Sequence, residues 1–272
     1  MIFKKNNPGC PCCNCPCSCY KFDDNGNDSM GSHDLTATNA TYGTGKLDKA
    51  ATFTGTQYFE HDHHNCFVPQ STGINIWFWI KRVAPVGADT PRIEYVVSKG
   101  EHANVDSSAF LSPNSDAGGF DGTWSIFITP EFSKSPSFND IHFAVAYESG
   151  NTDIIAESDS WEEPTDWVFF YWWYEPTAGS VGTHTGRCSL IRNATTIADE
   201  VTVSIGAVDN PMRQTDNEKL YVGKNLGKQR SETIEIDNLG FCKDIGTKAE
   251  MTARAAALYN SGDGLACNKA GK

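Results

Sequence analysis

Ten cysteines occur in 272 residues, and six of them, Cys10, Cys12, Cys13, Cys15, Cys17 and Cys19, fall within ten positions. Thiolates at that density suit two kinds of chemistry. Four sulfurs around a Zn2+ at about 2.3 Å would make a closed structural site, although the spacing is not the paired C-x-x-C of a zinc ribbon. An even cysteine total also permits complete disulfide pairing, from this arm to the body or between subunits. Reduced thiols in a flexible tail are the third alternative. Pro8, Pro11 and Pro16 each lack a backbone N–H and fix φ, so the segment is expected to be extended or looped, not helical. The other four cysteines, Cys66, Cys188, Cys242 and Cys267, are scattered.

A second cluster of ligand-type side chains is His61-Asp62-His63-His64-Asn65-Cys66. On a strand His61 and His63 share a face and could bind a metal with Cys66 reaching in from the other side; as a polar edge or loop the run would bind nothing. Trp161-Glu162-Glu163 and Asp166 sit where a loop meets a strand, the usual place for solvated acids. The chain contains no Gly-x-Ser-x-Gly elbow, HExxH or phosphate loop. Asn39-Ala40-Thr41 and Asn193-Ala194-Thr195 match the glycosylation sequon, which acts only on a secreted chain.

The elements that would position these groups read as strands. Ile74, Ile76, Phe78 and Ile80 alternate with Asn75, Trp77, Trp79 and Lys81, and Ile141, Phe143, Val145 and Tyr147 alternate with His142, Ala144 and Ala146, the period of a strand. Further strands are expected at Ile93–Ser98, Ala109–Leu111, Thr123–Thr129, Trp167–Tyr174, Cys188–Ile191, Lys219–Val222 and Thr233–Phe241, separated by Gly, Pro and Asn/Asp clusters. Trp167 through Tyr174 is apolar on both faces; one half belongs to a core, and the other is expected to stack on sugars or to be covered by a neighbouring subunit. Thr247-Lys248-Ala249-Glu250 is a capping box, followed by a short helical stripe of Met251, Ala255 and Leu258 that Gly262 stops. The expected fold is all-β, an antiparallel two-sheet jelly-roll sandwich with one short C-terminal helix. It divides into a Cys/Pro-rich arm over 1–19 and one domain over 20–272, a size that sandwiches reach as a single unit.

The formal net charge of −12 and a pI near 5.0 repel nucleic acid and anionic membranes. No apolar run reaches the roughly 18–20 residues of a membrane span. Met1 through Pro8 carries lysines with no apolar stretch behind them, so it does not read as a secretory signal.

Several stretches resemble, in order and spacing, the laminin-G-like, concanavalin A-like jelly roll of bacterial and phage surface proteins. Tyr20 through Gly31 resembles that family's opening strand and Asp-Ser-x-Gly turn. Gly45-Lys46-Leu47 through Ala50-Ala51-Thr52-Phe53-Thr54-Gly55 resembles its next step, and Ile74–Arg82 its tryptophan-bearing strand. Ile236-Asp237-Asn238-Leu239 with Glu250 through Gly262 resembles its closing strand and helix. The arm has no counterpart there. The resemblance implies a sandwich that binds carbohydrate or protein, but function lives in a site and not in a fold.

The same superfold hosts laminarinase-type glycoside hydrolases, whose Glu-x-Asp-x-Glu strand puts two carboxylates on one face. Here Glu235-Ile236-Asp237-Asn238-Leu239 offers leucine at the last position, so no catalytic pair forms and no enzyme is expected. The resemblance also implies a calcium ion between the opening turn and Asp237, with Asp23 and Asp28 as side-chain partners among the oxygens that Ca2+ prefers; an Asx-rich turn without an ion is the alternative. The chain is therefore expected to be a non-catalytic structural or binding module. Its first reading is a virion protein, a phage head decoration or tail component, fixed to other subunits by its arm. The second is a secreted or cell-surface glycan-binding, lectin-like adhesin.

Overall fold

The computed structural model describes residues 16–69, 73–83, 94–100, 123–130, 139–146, 152–161, 166–177, 184–205, 217–224 and 233–264. Among them fifteen strands run in chain order: β1 Pro16–Tyr20, β2 Thr36–Thr38, β3 Thr41–Thr44, β4 Lys49–Phe53, β5 Tyr58–His61, β6 Ile74–Val83, β7 Glu94–Lys99, β8 Trp124–Pro130, β9 Asn139–Ala146, β10 Thr152–Trp161, β11 Val168–Thr177, β12 His184–Arg192, β13 Thr195–Ile205, β14 Leu220–Val222 and β15 Thr233–Cys242. One α-helix, α1 Lys248–Tyr259, follows. No helix among the described residues is long and apolar enough to cross a membrane. The expected strand at Ala109–Leu111 lies outside the described residues.

The strands form two antiparallel sheets. The first has the order β13-β12-β11-β6-β15-β4-β3 with β1 also paired to β15, and the second β10-β9-β8-β7-β14-β5-β2. Strand β15 is divided between its neighbours. Its first half pairs with β4 through Ile234–Ile236, and its second half pairs with β1 through Leu239–Cys242. The changeover is a bulge against β6: Asp237 faces Trp79 and Gly240 faces Trp77, so two residues oppose one. Asn238 takes a left-handed φ of 54° there, and the Trp77 ring occupies the space a Cβ on residue 240 would need.

Period-two alternation sends Ile74, Ile76, Phe78 and Ile80 of β6 and Phe170, Trp172 and Tyr174 of β11 into the core between the sheets, against Phe67, Val96, Trp124, Ile126, Phe143 and Phe241. The opposite set, Trp77, Trp79, Phe169, Tyr171 and Trp173, forms a second apolar layer with Met251, Ala255 and Leu258 of α1. Helix α1 forms where the capping box places it. Thr247 caps the first turn, Glu250 returns the bond to the cap backbone, and Asn260 ends the helix in a left-handed conformation, two residues before the expected Gly262. Strand β1 lies within the cysteine-rich arm, so the boundary expected at Tyr20 cuts a strand whose Ser18, Cys19 and Tyr20 are buried.

Candidate functional site

Asp28 organises the turn that follows β1. Its Oδ1 accepts the backbone N–H of Cys19 at 2.8 Å and of Met30 at 2.9 Å, and its Oδ2 accepts those of Ser32 at 3.3 Å and His33 at 3.2 Å. The Tyr20 hydroxyl donates to the His33 carbonyl at 2.7 Å. His33 is therefore held at both its backbone groups. Its ring Nδ1 lies 3.5 Å from Asp28 Oδ2, 3.3 Å from the Cys17 carbonyl and 3.0 Å from Ser18 Oγ.

The other side of this corner comes from the segment after β5. His64 caps the 3-10 turn Asn65–Phe67, its Nδ1 accepting the Cys66 N–H at 3.1 Å. The Nε2 atoms of His33 and His64 are 3.3 Å apart, and the Cys66 sulfur is 3.6 Å from Ser18 Oγ. His33, His64 and Cys66 each bring a ligand atom to within 4.8 Å of the other two. Among the described residues the metal-type group that converges is thus His33, His64 and Cys66, and the alternative of a metal between His61, His63 and Cys66 does not form. His61, at the end of β5, turns its Nδ1 to its neighbour's carbonyl, that of Asp62, at 2.6 Å.

Cys17 and Cys66 carry free thiols, while Cys19 and Cys242 are disulfide-bonded. A hydrogen bond from the Cys66 thiol, aided by the charge of Lys243, pulls the Cys17 thiol below its ordinary range; the same bond and burial push Cys66 up. Burial and the neighbouring His33 lower His64. Cys10, Cys12, Cys13 and Cys15 lie outside the described residues.

Of the three aspartates expected to share a cation, the structure brings Asp23 and Asp237 into one neighbourhood and assigns Asp28 to its turn. Asp237 Oδ2 accepts the Leu47 N–H at 2.9 Å, and Asp23 Oδ1 accepts the Lys49 N–H at 3.3 Å. Desolvation, reinforced by the charge of Asp23, raises Asp237 to about 7. Gly45 is required beside it, since a Cβ there would lie 2.8 Å from Asp237 Oδ2. On the same strand Glu235 is 3.2 Å from Lys81, and Leu239 is fully buried in the core.

The outward half of the aromatic strand faces neither solvent nor a neighbouring subunit, contrary to expectation. Phe169, Tyr171 and Trp173 are sealed within the chain, in the layer that α1 completes. Tyr171 reaches Asn75 Oδ1 at 2.8 Å and Met251 Sδ at 3.6 Å. A different aromatic group lies on the face of β5 and β14 opposite the core. There Tyr58 and Tyr221 meet at 6.5 Å between ring centroids. Lys224 Nζ stands 3.9 Å from the Tyr221 centroid and 5.3 Å from that of Tyr58. Glu60 holds Lys219 beside them at 2.7 Å. Sequence reasoning missed this group because its members are far apart in the chain. Its one signal is the alternation of Tyr58 and Glu60 with the core residue Phe59.

No family model and no curated protein matches the sequence. Solved structures match the fold. The binding domain of Paraclostridial Mosquitocidal Protein 1 is similar at a TM-score of 0.56 and 13% identity, over 89% of this chain and 52% of that one. The receptor binding domain of botulinum neurotoxin D gives 0.55 at 8% identity, over 89% and 52%. The botulinum neurotoxin serotype D ligand binding domain in complex with N-acetylneuraminic acid gives 0.53 at 11%, over 89% and 50%. The chain spans about half the length of these structures, and at such identities the likeness is one of fold.

Proposed function

We propose that this chain is a non-catalytic recognition module that works outside the cell and binds glycans, with a laminin-G-like sandwich as its scaffold. The observation that carries the reading is the Tyr58–Tyr221–Lys224 group on a sandwich similar to toxin binding domains over 89% of its length. The partly exposed ring of Tyr58, backed by the buried Tyr221, suits the apolar face of a sugar ring. A lysine held over them suits the carboxylate of an acidic sugar such as N-acetylneuraminic acid, found in one of the similar structures. Against catalysis stands Leu239, buried where a glycosidase strand would need its second carboxylate. A glycan array probed with the whole chain tests the proposal. Binding to sialylated glycans that Lys224→Ala weakens supports it, and an array without bound glycans refutes it.

A calcium ion is proposed at Asp23 and Asp237, a buried carboxylate and a second acid that share one neighbourhood. The cysteine density of residues 10–19 favours a second reading, a subunit of a virion or other particle fastened by its arm. Covalent oligomers in non-reducing electrophoresis of such particles would support it, and a monomer band would refute it.

A further inference from the structure

Three groups with the donor atoms of a thiophilic metal site meet, with a fourth beside them, where β1, the Asp28 turn and the segment after β5 come together. They are the thiol of Cys66 and the imidazoles of His33 and His64, whose ligand atoms all lie within 4.8 Å of one another and whose Nε2 atoms are 3.3 Å apart; the free thiol of Cys17 is the neighbour of Cys66. Two nitrogens bound to one tetrahedral zinc at 2.0–2.1 Å are separated by about 3.3 Å, so the observed spacing is that of two ligands on one ion. Cys66 is buried and close to both rings. His33 is oriented as metal-bound histidines usually are. Asp28 Oδ2 and the Cys17 carbonyl face its Nδ1, which places the proton there and leaves the Nε2 lone pair directed into the cluster.

We infer that Cys17, His33, His64 and Cys66 bind one zinc ion, a closed structural site that ties the first strand to the opposite sheet. Two thiolates and two neutral imidazoles around a divalent ion form a set without net charge, of the Cys2His2 type that selects zinc over hard cations. Lys243 reaches the Asn65 carbonyl at 2.9 Å and sets a positive charge beside both sulfurs. His64 is solvent-exposed and gives the ion a way in. Binding through its Nε2 moves the ring proton to Nδ1, so His64 releases the Cys66 N–H and the metal replaces that bond in holding the turn. With Cys17 drawn in beside Cys66 as the fourth ligand, the tetrahedron is filled and no position is left for a reacting water. The site is separate from the Tyr58–Lys224 face, so either assignment can fail without the other.

The test uses the whole chain produced with zinc and without a reductant strong enough to open the Cys19 and Cys242 disulfides. Elemental analysis is expected to give one zinc per chain, and X-ray absorption on the wild type two sulfur and two nitrogen neighbours. Replacing the ion with cobalt should give the visible bands of a tetrahedral site and a thiolate charge-transfer band. Cys66→Ser should remove most of that band, and His33→Ala should weaken binding at least a hundredfold. Chelation should lower the melting temperature of the wild type, and added zinc should restore it. The inference is overturned if mass spectrometry finds Cys17 and Cys66 joined as a disulfide in this preparation. A folded wild type without stoichiometric metal, or a metal shell without sulfur, overturns it equally.

Discussion

The carboxylate of Asp237 accepts the backbone N–H of Leu47 at 2.9 Å, across 190 positions of sequence. This bond joins the closing strand to the loop after β3, and it sits one residue before the bulge that hands β15 from β4 to β1. Its acceptor is buried, and that burial makes it sensitive to pH.

Asp237 is raised from an ordinary value of 3.8 to about 7, first by desolvation and then by Asp23. The native state therefore holds a proton in this window that the unfolded chain has lost, and stability falls as pH rises from about 4 to about 7. In metal-free buffer the melting temperature should decline across this window. Asp237→Asn should flatten the decline, which thermal melts of both proteins at several pH values would show.

Added calcium should act in the opposite sense, because an ion that binds only the folded state stabilises it by mass action. At pH 7 calcium should raise the midpoint of the wild type and leave that of Asp237→Ala unchanged. Equal midpoints in all four samples, with and without the ion, would remove calcium from the account.

Helix α1 covers the outward tryptophan row through Met251, Ala255 and Leu258. Leu258→Ala should cost about 2–5 kcal/mol, the usual range for opening such a cavity, and should increase dye binding to exposed apolar surface. Thr247→Ala removes only the cap and should cost about 1 kcal/mol. Denaturant titrations would rank the two.

Much of this architecture is legible from local pattern. The alternation of Ile74 through Ile80 gives β6, and Thr247 with Glu250 marks the helix start within one residue. Both signals are complete within a short window. The partner of the outward aromatic face was not legible, because Trp173 and Leu258 are far apart in sequence and periodicity does not say which helix covers which strand. Strand β1 was hidden by its cysteines and by Pro16, which mark a break in an isolated segment but begin an edge pairing with Cys242 here. His33 carried no signal. A lone histidine after a turn becomes a candidate ligand only when Asp28 fixes its ring and the fold brings His64 opposite. Of the aspartates, only the neighbourhood of Asp23 with Asp237 emerged, since nothing local distinguishes Asp28's commitment to four backbone N–H groups.

Recognition of an acidic sugar by the Tyr58–Tyr221–Lys224 face is the central claim, and a titration with a soluble sialylated oligosaccharide, followed by calorimetry and by NMR of the sugar, tests it most directly. Saturable binding is expected, with the sugar recovered intact, a loss of at least tenfold in affinity for Lys224→Ala, and a comparable loss for Tyr58→Ala. Absence of binding, affinity unchanged in both variants, or release of free sugar by the wild type would contradict it.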